Sequence, residues 1–69
     1  MPATTCVILN GDSLNTSSSS LAELVAELKL DQRVIAIELN LEVVPKSAYV
    51  DKRLSEGDRI EIVHMIGGG

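Results

Sequence analysis

One segment of the sequence has the periodicity of an α-helix, and this limits the folds open to the chain. Four aliphatic residues recur there at i, i+3, i+4 and i+7, namely Leu21, Leu24, Val25 and Leu28. Ser20 stands three residues before Glu23, which is the spacing of a capping box and predicts the helix start. The hydroxyl-rich residues 16–20 are expected to form a loop that leads into this cap. A single amphipathic helix needs another apolar surface to cover.

The remaining strand candidates are short, and most are apolar and rich in β-branched residues, which is typical of strands. They occupy residues 6–9, 12–14, 34–39, 42–46 and 59–63. Asn10-Gly11 separates the first two and predicts a type I′ hairpin, because both residues tolerate a positive φ. Asn40-Leu41 predicts a second turn, although leucine is unusual where such turns often need glycine.

The order strand, strand, helix, strand, strand, strand predicts an α+β fold, with one helix packed on one face of a small mixed sheet. Pro45 lacks a backbone N–H, so its strand is expected at a sheet edge. The first and last strands are expected to pair in parallel at the centre. In the last strand, Ile60 and Ile62 share one face and Val63 lies on the other.

The chain of 69 residues is expected to form one domain, near the lower size limit for a core without disulfides or metals. Tyr49 is its one aromatic residue, so the core has to consist of closely packed aliphatic side chains. Ten acidic against six basic residues give a net charge of −4. Nucleic-acid binding is therefore not expected, whereas an acidic surface suits basic patches on protein partners.

Two residues with reactive side chains lack the neighbours in sequence that catalysis or metal binding would need. Cys6 is the only cysteine, which excludes an internal disulfide and favours a reducing compartment. Because its neighbours alternate as in a strand, we expect a structural thiol rather than a nucleophile or sulfur relay. His64 has no second histidine or cysteine at ligand spacing, so we expect a solvated side chain and no metal site.

The sequence shows no targeting or membrane segment. Its first residues lack the basic and apolar regions of a signal peptide. No apolar run approaches the roughly 20 residues that a membrane span needs. We therefore expect a cytoplasmic protein that does not bind membranes.

The sequence ends in three glycines, Gly67, Gly68 and Gly69. An arm without Cβ atoms can enter a narrow tunnel and present a terminal carboxylate there. We therefore predict a folded domain over residues 1–66 and a flexible glycine tail over residues 67–69. The chemistry of the protein is expected at the main-chain carboxylate of Gly69.

Three segments together resemble the ThiS family of sulfur carriers of thiamine biosynthesis. They are residues 9–11 (Leu-Asn-Gly), residues 38–45, and residues 54–63, which lead to the terminal glycines. The resemblance extends over essentially the whole chain and implies a ubiquitin-like β-grasp fold. Leu41, where such proteins often have glycine, and the third glycine at Gly67 are minor departures that do not touch the terminal carboxylate.

The resemblance also implies that this chain is a carrier and not an enzyme. An E1-like adenylyltransferase would activate Gly69 with ATP, and sulfur from a cysteine desulfurase-type donor would convert the acyl-adenylate to a thiocarboxylate. Thiazole synthase would then take that sulfur for the thiazole ring. The sequence has no glycine-rich phosphate loop followed by lysine, so ATP is expected to bind the activating partner and not this chain.

Apolar residues near the tail are the predicted partner contacts. The predicted partner-binding residues are Gly67, Gly68, Met65, Ile66, Ile8 and Val63. Met65 and Ile66 either finish the sheet edge or pack into apolar grooves on the two partner enzymes. Together with Cys6, the outward residues Ile8 and Val63 are expected to extend this patch across the sheet face without the helix. Glu38 and Glu61 are expected to form its polar rim.

Three other functions remain open on the sequence alone. A small subunit of molybdopterin synthase (MoaD-like) would bury such a tail in a large partner subunit. A ubiquitin-like modifier would instead be joined to lysines of other proteins. A plain structural β-grasp domain is the third alternative, and it leaves the terminal glycines without a role.

Overall fold

Five strands, one α-helix and a short 3-10 helix make up residues 3–64, the part of the chain that the computed structural model describes. In chain order these elements are β1 (Thr5–Leu9), β2 (Asp12–Thr16), α1 (Leu21–Glu27), β3 (Ile35–Leu39), β4 (Glu42–Val44), the 3-10 helix (Lys46–Ala48) and β5 (Arg59–His64). The predicted order of strands and helix is confirmed. No helix within residues 3–64 is long and apolar enough to span a membrane.

The strands form one mixed sheet in the order β2-β1-β5-β3-β4. β1 and β5 are parallel neighbours, as the sequence predicts, and the other neighbouring pairs are antiparallel. β4 lies at an edge, as expected from Pro45. The strand predicted to reach Lys46 ends at Val44, because Pro45 cannot continue the ladder and instead precedes the 3-10 helix.

The core lies between α1 and one face of the sheet. Its buried apolar residues are Val7, Leu21, Leu24, Val25, Ile37, Val44, Tyr49, Ile60 and Ile62. All but one are aliphatic, as the composition requires, and burial raises the pKa of the exception, Tyr49. The side chains of Ile60 and Ile62 are 0% and 7% exposed, and they anchor β5 in this core. The strand that precedes the tail is therefore part of the core.

The start of α1 confirms the predicted cap and corrects its second half. The Glu23 N–H donates to Ser20 Oγ at 3.2 Å, as a capping box requires. The Glu23 carboxylate, however, accepts hydrogen bonds from Ser19, from its backbone N–H at 2.7 Å and its hydroxyl at 3.0 Å, and not from Ser20. These bonds, the backbone one foremost, hold the pKa of Glu23 below its usual value.

The predicted loop over residues 16–20 begins one residue later than expected. Thr16 is the last residue of β2 and is 1% exposed. Its hydroxyl donates to the carboxylate of Glu27, and the Ser18 hydroxyl donates to the same oxygen at 2.7 Å. These bonds, from Thr16 first and then from Ser18, lower the pKa of Glu27. The hydroxyl run therefore ties β2 to α1.

The two hairpin turns share one backbone conformation. Asn10 and Gly11 have φ values of 49° and 89°, and Asn40 and Leu41 have φ values of 52° and 73°. Positive φ at both central residues is the requirement of a type I′ turn, which confirms both predicted turns. Leu41 is 81% exposed, so no buried contact offsets its left-handed backbone.

Replacing Leu41 by glycine is expected to stabilise the fold. The left-handed conformation costs a leucine about 1–2 kcal/mol, and the greater freedom of glycine in the unfolded chain returns about 0.5–1 kcal/mol of that. We expect a net gain of about 0.5–1 kcal/mol, measured by urea unfolding with an unchanged m-value. Gly11→Ala is the matched control. It should destabilise the fold through its backbone alone, because Gly11 has φ 89° and a Cβ there would meet nothing within 4 Å. An unchanged or lower stability of Leu41→Gly would contradict this account of the turn.

Candidate functional site

β5 is the element from which the predicted reactive tail leaves. It lies in the middle of the sheet, between β1 and β3, and its last residue is His64. The predicted residues Met65, Ile66 and Gly67 to Gly69 lie outside the described residues. The described chain therefore defines the base of the tail, the way that base is held, and the surface around it.

The two neighbours hold β5 over different lengths. β3 is in register with it from Leu39 opposite Ile60 to Ile35 opposite His64. β1 is in register with it only at Ile8 opposite Arg59 and Leu9 opposite Ile60. The stretch of β5 from Glu61 to His64 therefore extends past the end of β1 while it remains paired with β3.

Two asparagine side chains, one from each turn, bind the backbone of β5. Asn40 Oδ1 accepts from the Arg59 N–H at 2.9 Å, at the start of the strand. Asn10 Oδ1 accepts from the Ile62 N–H at 2.8 Å, and Asn10 Nδ2 donates to the Ile62 carbonyl at 3.3 Å. Sequence reasoning identified both asparagines as turn residues only. The signal for a second role is weak, since asparagine is common in such turns for its φ alone.

The sheet face opposite α1, called the outer face below, contains the predicted docking residues of the folded part. It consists of the residues that alternate with the core-facing ones: Cys6, Ile8, Ser13, Asn15, Ala36, Glu38, Val43, Arg59, Glu61 and Val63. Among them, Val43 is 72% and Val63 is 57% exposed. Ile8 and Val63 are thus both on the face where the sequence places them.

The prediction that Cys6, Ile8 and Val63 extend one apolar patch across the outer face is wrong. Ile8 is in register with Arg59, and Val63 lies four residues farther along β5, which is about 13 Å in a strand. On β5, the outward residues between the level of Ile8 and Val63 are the charged residues Arg59 and Glu61. The outward neighbour of Val63 is instead Ala36 of β3, which is half-buried. Within the described residues, the apolar area nearest the tail is therefore centred on Val63.

Glu38 and Glu61 also lie elsewhere than expected. They are directly opposite each other on the adjacent strands β3 and β5, and Val43 of β4 is opposite Glu38 on its other side. Both carboxylates are exposed, and they occupy the middle of the outer face rather than its rim. Like charges directly opposite each other destabilise a sheet. A basic group supplied from outside the chain would relieve this repulsion.

Cys6 and His64 lie at opposite ends of the sheet. The Cys6 carbonyl accepts from the Gly57 N–H at 2.8 Å, and its N–H donates to a Glu56 carboxylate oxygen at 2.9 Å. Gly57 lies two residues before β5, which extends for about 17 Å from Arg59 to His64. The thiol is half-buried, far from the base of the tail, and its strand position fits the predicted structural role. His64 is exposed, and residues 3–64 contain no cluster of three metal-ligating side chains.

An apolar groove with a volume of about 410 Å³ opens on the helix side of the molecule. It lies between α1, the segment before β3 and the 3-10 helix, and its lining includes Val25, Val34, Tyr49 and Val50. Arg33 and Lys46 also line it. Its residues do not form a glycine-rich phosphate loop, so the groove gives no reason to place ATP on this chain.

Comparison with known proteins gives consistent matches. The model of the ThiS family matches residues 6–69. The sulfur carrier protein ThiS of Bacillus subtilis (strain 168) is 33% identical over 63 residues, which is 88% of this chain and 96% of that protein. The crystal structure of the thiamine biosynthesis protein ThiS from Geobacter metallireducens superposes with a TM-score of 0.78 at 29% identity. The match covers 94% of this chain and 100% of that one.

A further relative is much longer than this chain. The thiazole synthase of Paramagnetospirillum magneticum is 47% identical over 64 residues, which is 91% of this chain. The matched segment is only 20% of that protein. This chain therefore spans about a fifth of that relative, and the similarity concerns the segment alone.

Proposed function

The chain belongs to the ThiS family, and on this premise we propose that it carries sulfur as a C-terminal thiocarboxylate for thiazole formation in thiamine biosynthesis. One observation carries the proposal. The family match runs to Gly69, and the β-grasp fold presents the preceding strand, β5, at the centre of the sheet. The chain is thus a carrier and a substrate of its partners.

The proposed chemistry takes place at the main-chain carboxylate of Gly69. A carboxylate is a poor acyl electrophile, so ATP bound by an E1-like adenylyltransferase first converts it to an acyl-adenylate and releases pyrophosphate. The terminal sulfur of a persulfide on a cysteine desulfurase-type donor then attacks the carbonyl carbon, and AMP leaves. A thiol reductant cleaves the S–S bond of the resulting acyl disulfide and releases the donor's cysteine. The product is a terminal thiocarboxylate whose sulfur is a nucleophile held on the protein. Gly67 and Gly68 give the arm its narrow cross-section.

Thiazole synthase is the proposed acceptor of this sulfur. The long relative from Paramagnetospirillum supports the pairing, because a segment similar to this chain is part of a protein named as a thiazole synthase. Joining two functions in one chain raises their effective concentration, which is useful where one passes a group to the other. We propose the same pairing of carrier and acceptor for this chain.

The folded part provides the surface that both partners bind. Val63, its neighbour Ala36 and the opposed carboxylates Glu38 and Glu61 are the outer-face residues nearest the base of the tail. We propose that a partner covers Val63 with an apolar group and places a basic side chain between the two carboxylates. This arrangement would relieve the like-charge repulsion within the sheet and fix the register of Met65, Ile66 and the glycines in the partner's tunnel.

Reconstitution with an activating enzyme tests the proposal. After incubation with that enzyme, ATP, a thiol reductant and a cysteine desulfurase with cysteine, the intact mass is expected to rise by about 16 Da, as one oxygen is replaced by sulfur. Omitting ATP is the control and should leave the mass unchanged. No mass change with an enzyme that is active on another ThiS-family carrier would contradict the proposal. Conjugates of higher mass would indicate a protein modifier, and tight capture of a molybdopterin synthase large subunit would indicate the alternative carrier.

A further inference from the structure

β1 separates from β5 before β5 ends. The last main-chain bond between them runs from the Asn10 N–H to the Ile60 carbonyl at 2.9 Å, and the chain then turns into β2. Even-numbered residues of β5 direct their backbone groups toward β1, since Asp58 and Ile60 both accept hydrogen bonds from that side. The N–H and C=O of Ile62 therefore face a position that β1 has already left.

The side chain of Asn10 fills that position. Its Oδ1 accepts from the Ile62 N–H at 2.8 Å and its Nδ2 donates to the Ile62 carbonyl at 3.3 Å. A side-chain amide has a carbonyl acceptor and N–H donors on one carbon, so it can bind an N–H and a C=O at the same time. Asn10 therefore satisfies the two backbone groups of Ile62 that a longer β1 would have bound. The contact spans 52 positions in sequence.

Ile62 is consequently held from three directions. Its side chain is in the core, Asn10 binds its backbone, and its neighbours Glu61 and Val63 are in register with β3. Resting on the proposed function, we propose that Asn10 is a positioning residue that fixes the base of the tail for the activating enzyme. The next residues after this base lead through His64 to the reactive Gly69.

Loss of the Asn10 amide is expected to release β5 on one side back to Ile60. Beyond Ile60, β5 would then be held by β3 alone, and its looser end would have to be ordered each time the carrier binds the activating enzyme. Once the arm is bound, the carboxylate has the same surroundings as before. The change should therefore raise KM for the carrier and leave kcat unchanged.

Asn10→Gly removes the amide and keeps a residue that accepts the φ of 49°. Asn40→Gly is the matched control, because Asn40 has φ 52° in the same type of turn and its amide binds Arg59 at the opposite end of β5. We expect Asn10→Gly to raise KM about two- to fivefold, the cost of ordering a loosened strand end on binding, with kcat unchanged. Asn40→Gly should leave KM within the error of wild type. An equal KM for Asn10→Gly and wild type, or an equal rise in both variants, would overturn the proposal.

Hydrogen exchange tests the anchor without any enzyme. In Asn10→Gly the amide of Ile62 should exchange about tenfold faster, as a bond of ordinary strength is lost, and in Asn40→Gly it should exchange as in wild type. Asn10→Asp keeps the bond to the Ile62 N–H but places a second oxygen against the Ile62 carbonyl, so its exchange rate should fall between these two. Unchanged exchange in Asn10→Gly would refute the anchor. Absence of wild-type conversion would instead refute the proposed function.

Discussion

Deleting Gly69 is expected to abolish thiocarboxylate formation and leave the fold intact. The truncated chain still ends in a glycine carboxylate, but that carboxylate lies about 3.5 Å short of its site when the folded part is docked. A misplacement of even 1 Å costs about 100-fold in rate for reactions that depend on alignment. Conversion by the activating enzyme, followed by intact mass, should fall below detection.

Two controls distinguish the shortening of the tail from other effects of the deletion. The melting temperature should not change, because a terminal glycine has no side chain to bury in the core. Gly69→Ala keeps the full length and adds only a methyl group, so its conversion should be slowed by the narrow tunnel and yet exceed that of the deletion. Full conversion of the truncated chain would show that the reaction does not depend on the distance from β5 to the terminus.

Glu61→Lys is expected to change fold stability and partner binding in opposite directions. In the free protein the lysine would face Glu38 across the sheet, which turns a repulsive pair into an attractive one and raises the melting temperature by about 2–4 °C. In the complex it would meet the basic side chain proposed on the partner. Binding to the activating enzyme should weaken about tenfold, because like charges are then brought together at a contact.

Asp51→Lys makes the same change in net charge at a different place. Asp51 is exposed and belongs to the segment that packs beside α1, on the side away from the outer face. Binding of this control should weaken less than that of Glu61→Lys, and the difference between them should shrink at high salt. Equal loss of affinity in both variants, measured by titration calorimetry, would indicate general attraction between an acidic carrier and its partner. It would remove the reason for a specific contact at Glu61.

Most of the fold follows from local sequence patterns. The stripe of Leu21, Leu24 and Val25 and the alternation of Ile60 and Ile62 each report which side of an element is buried, and the structure buries those side chains. The turns were also predictable, since Asn-Gly has few alternatives to a type I′ hairpin. Leu41 was recognised as unusual from its position alone, and its φ of 73° supplies the reason.

The details of the site depend on register, which the sequence does not reveal. Ile8 and Val63 were assigned correctly to one face, but only the pairing of Ile8 with Arg59 shows that they are too far apart to form one patch. The opposition of Glu38 and Glu61 likewise follows from the pairing of β3 with β5. The bond from Asn10 to Ile62 joins residues 52 positions apart, and no local pattern encodes it.

Locating the added sulfur by fragmentation of the intact protein tests the central claim most directly. After reaction with the activating enzyme, ATP and a sulfur donor, fragment ions that contain the terminal residue should carry the increase of about 16 Da, and those ending before Gly69 should not. Alkylation should block the group, as expected for a nucleophilic sulfur. An increase of about 32 Da on fragments containing Cys6 would instead indicate a persulfide on the thiol. That result would contradict the assignment of the chemistry to Gly69.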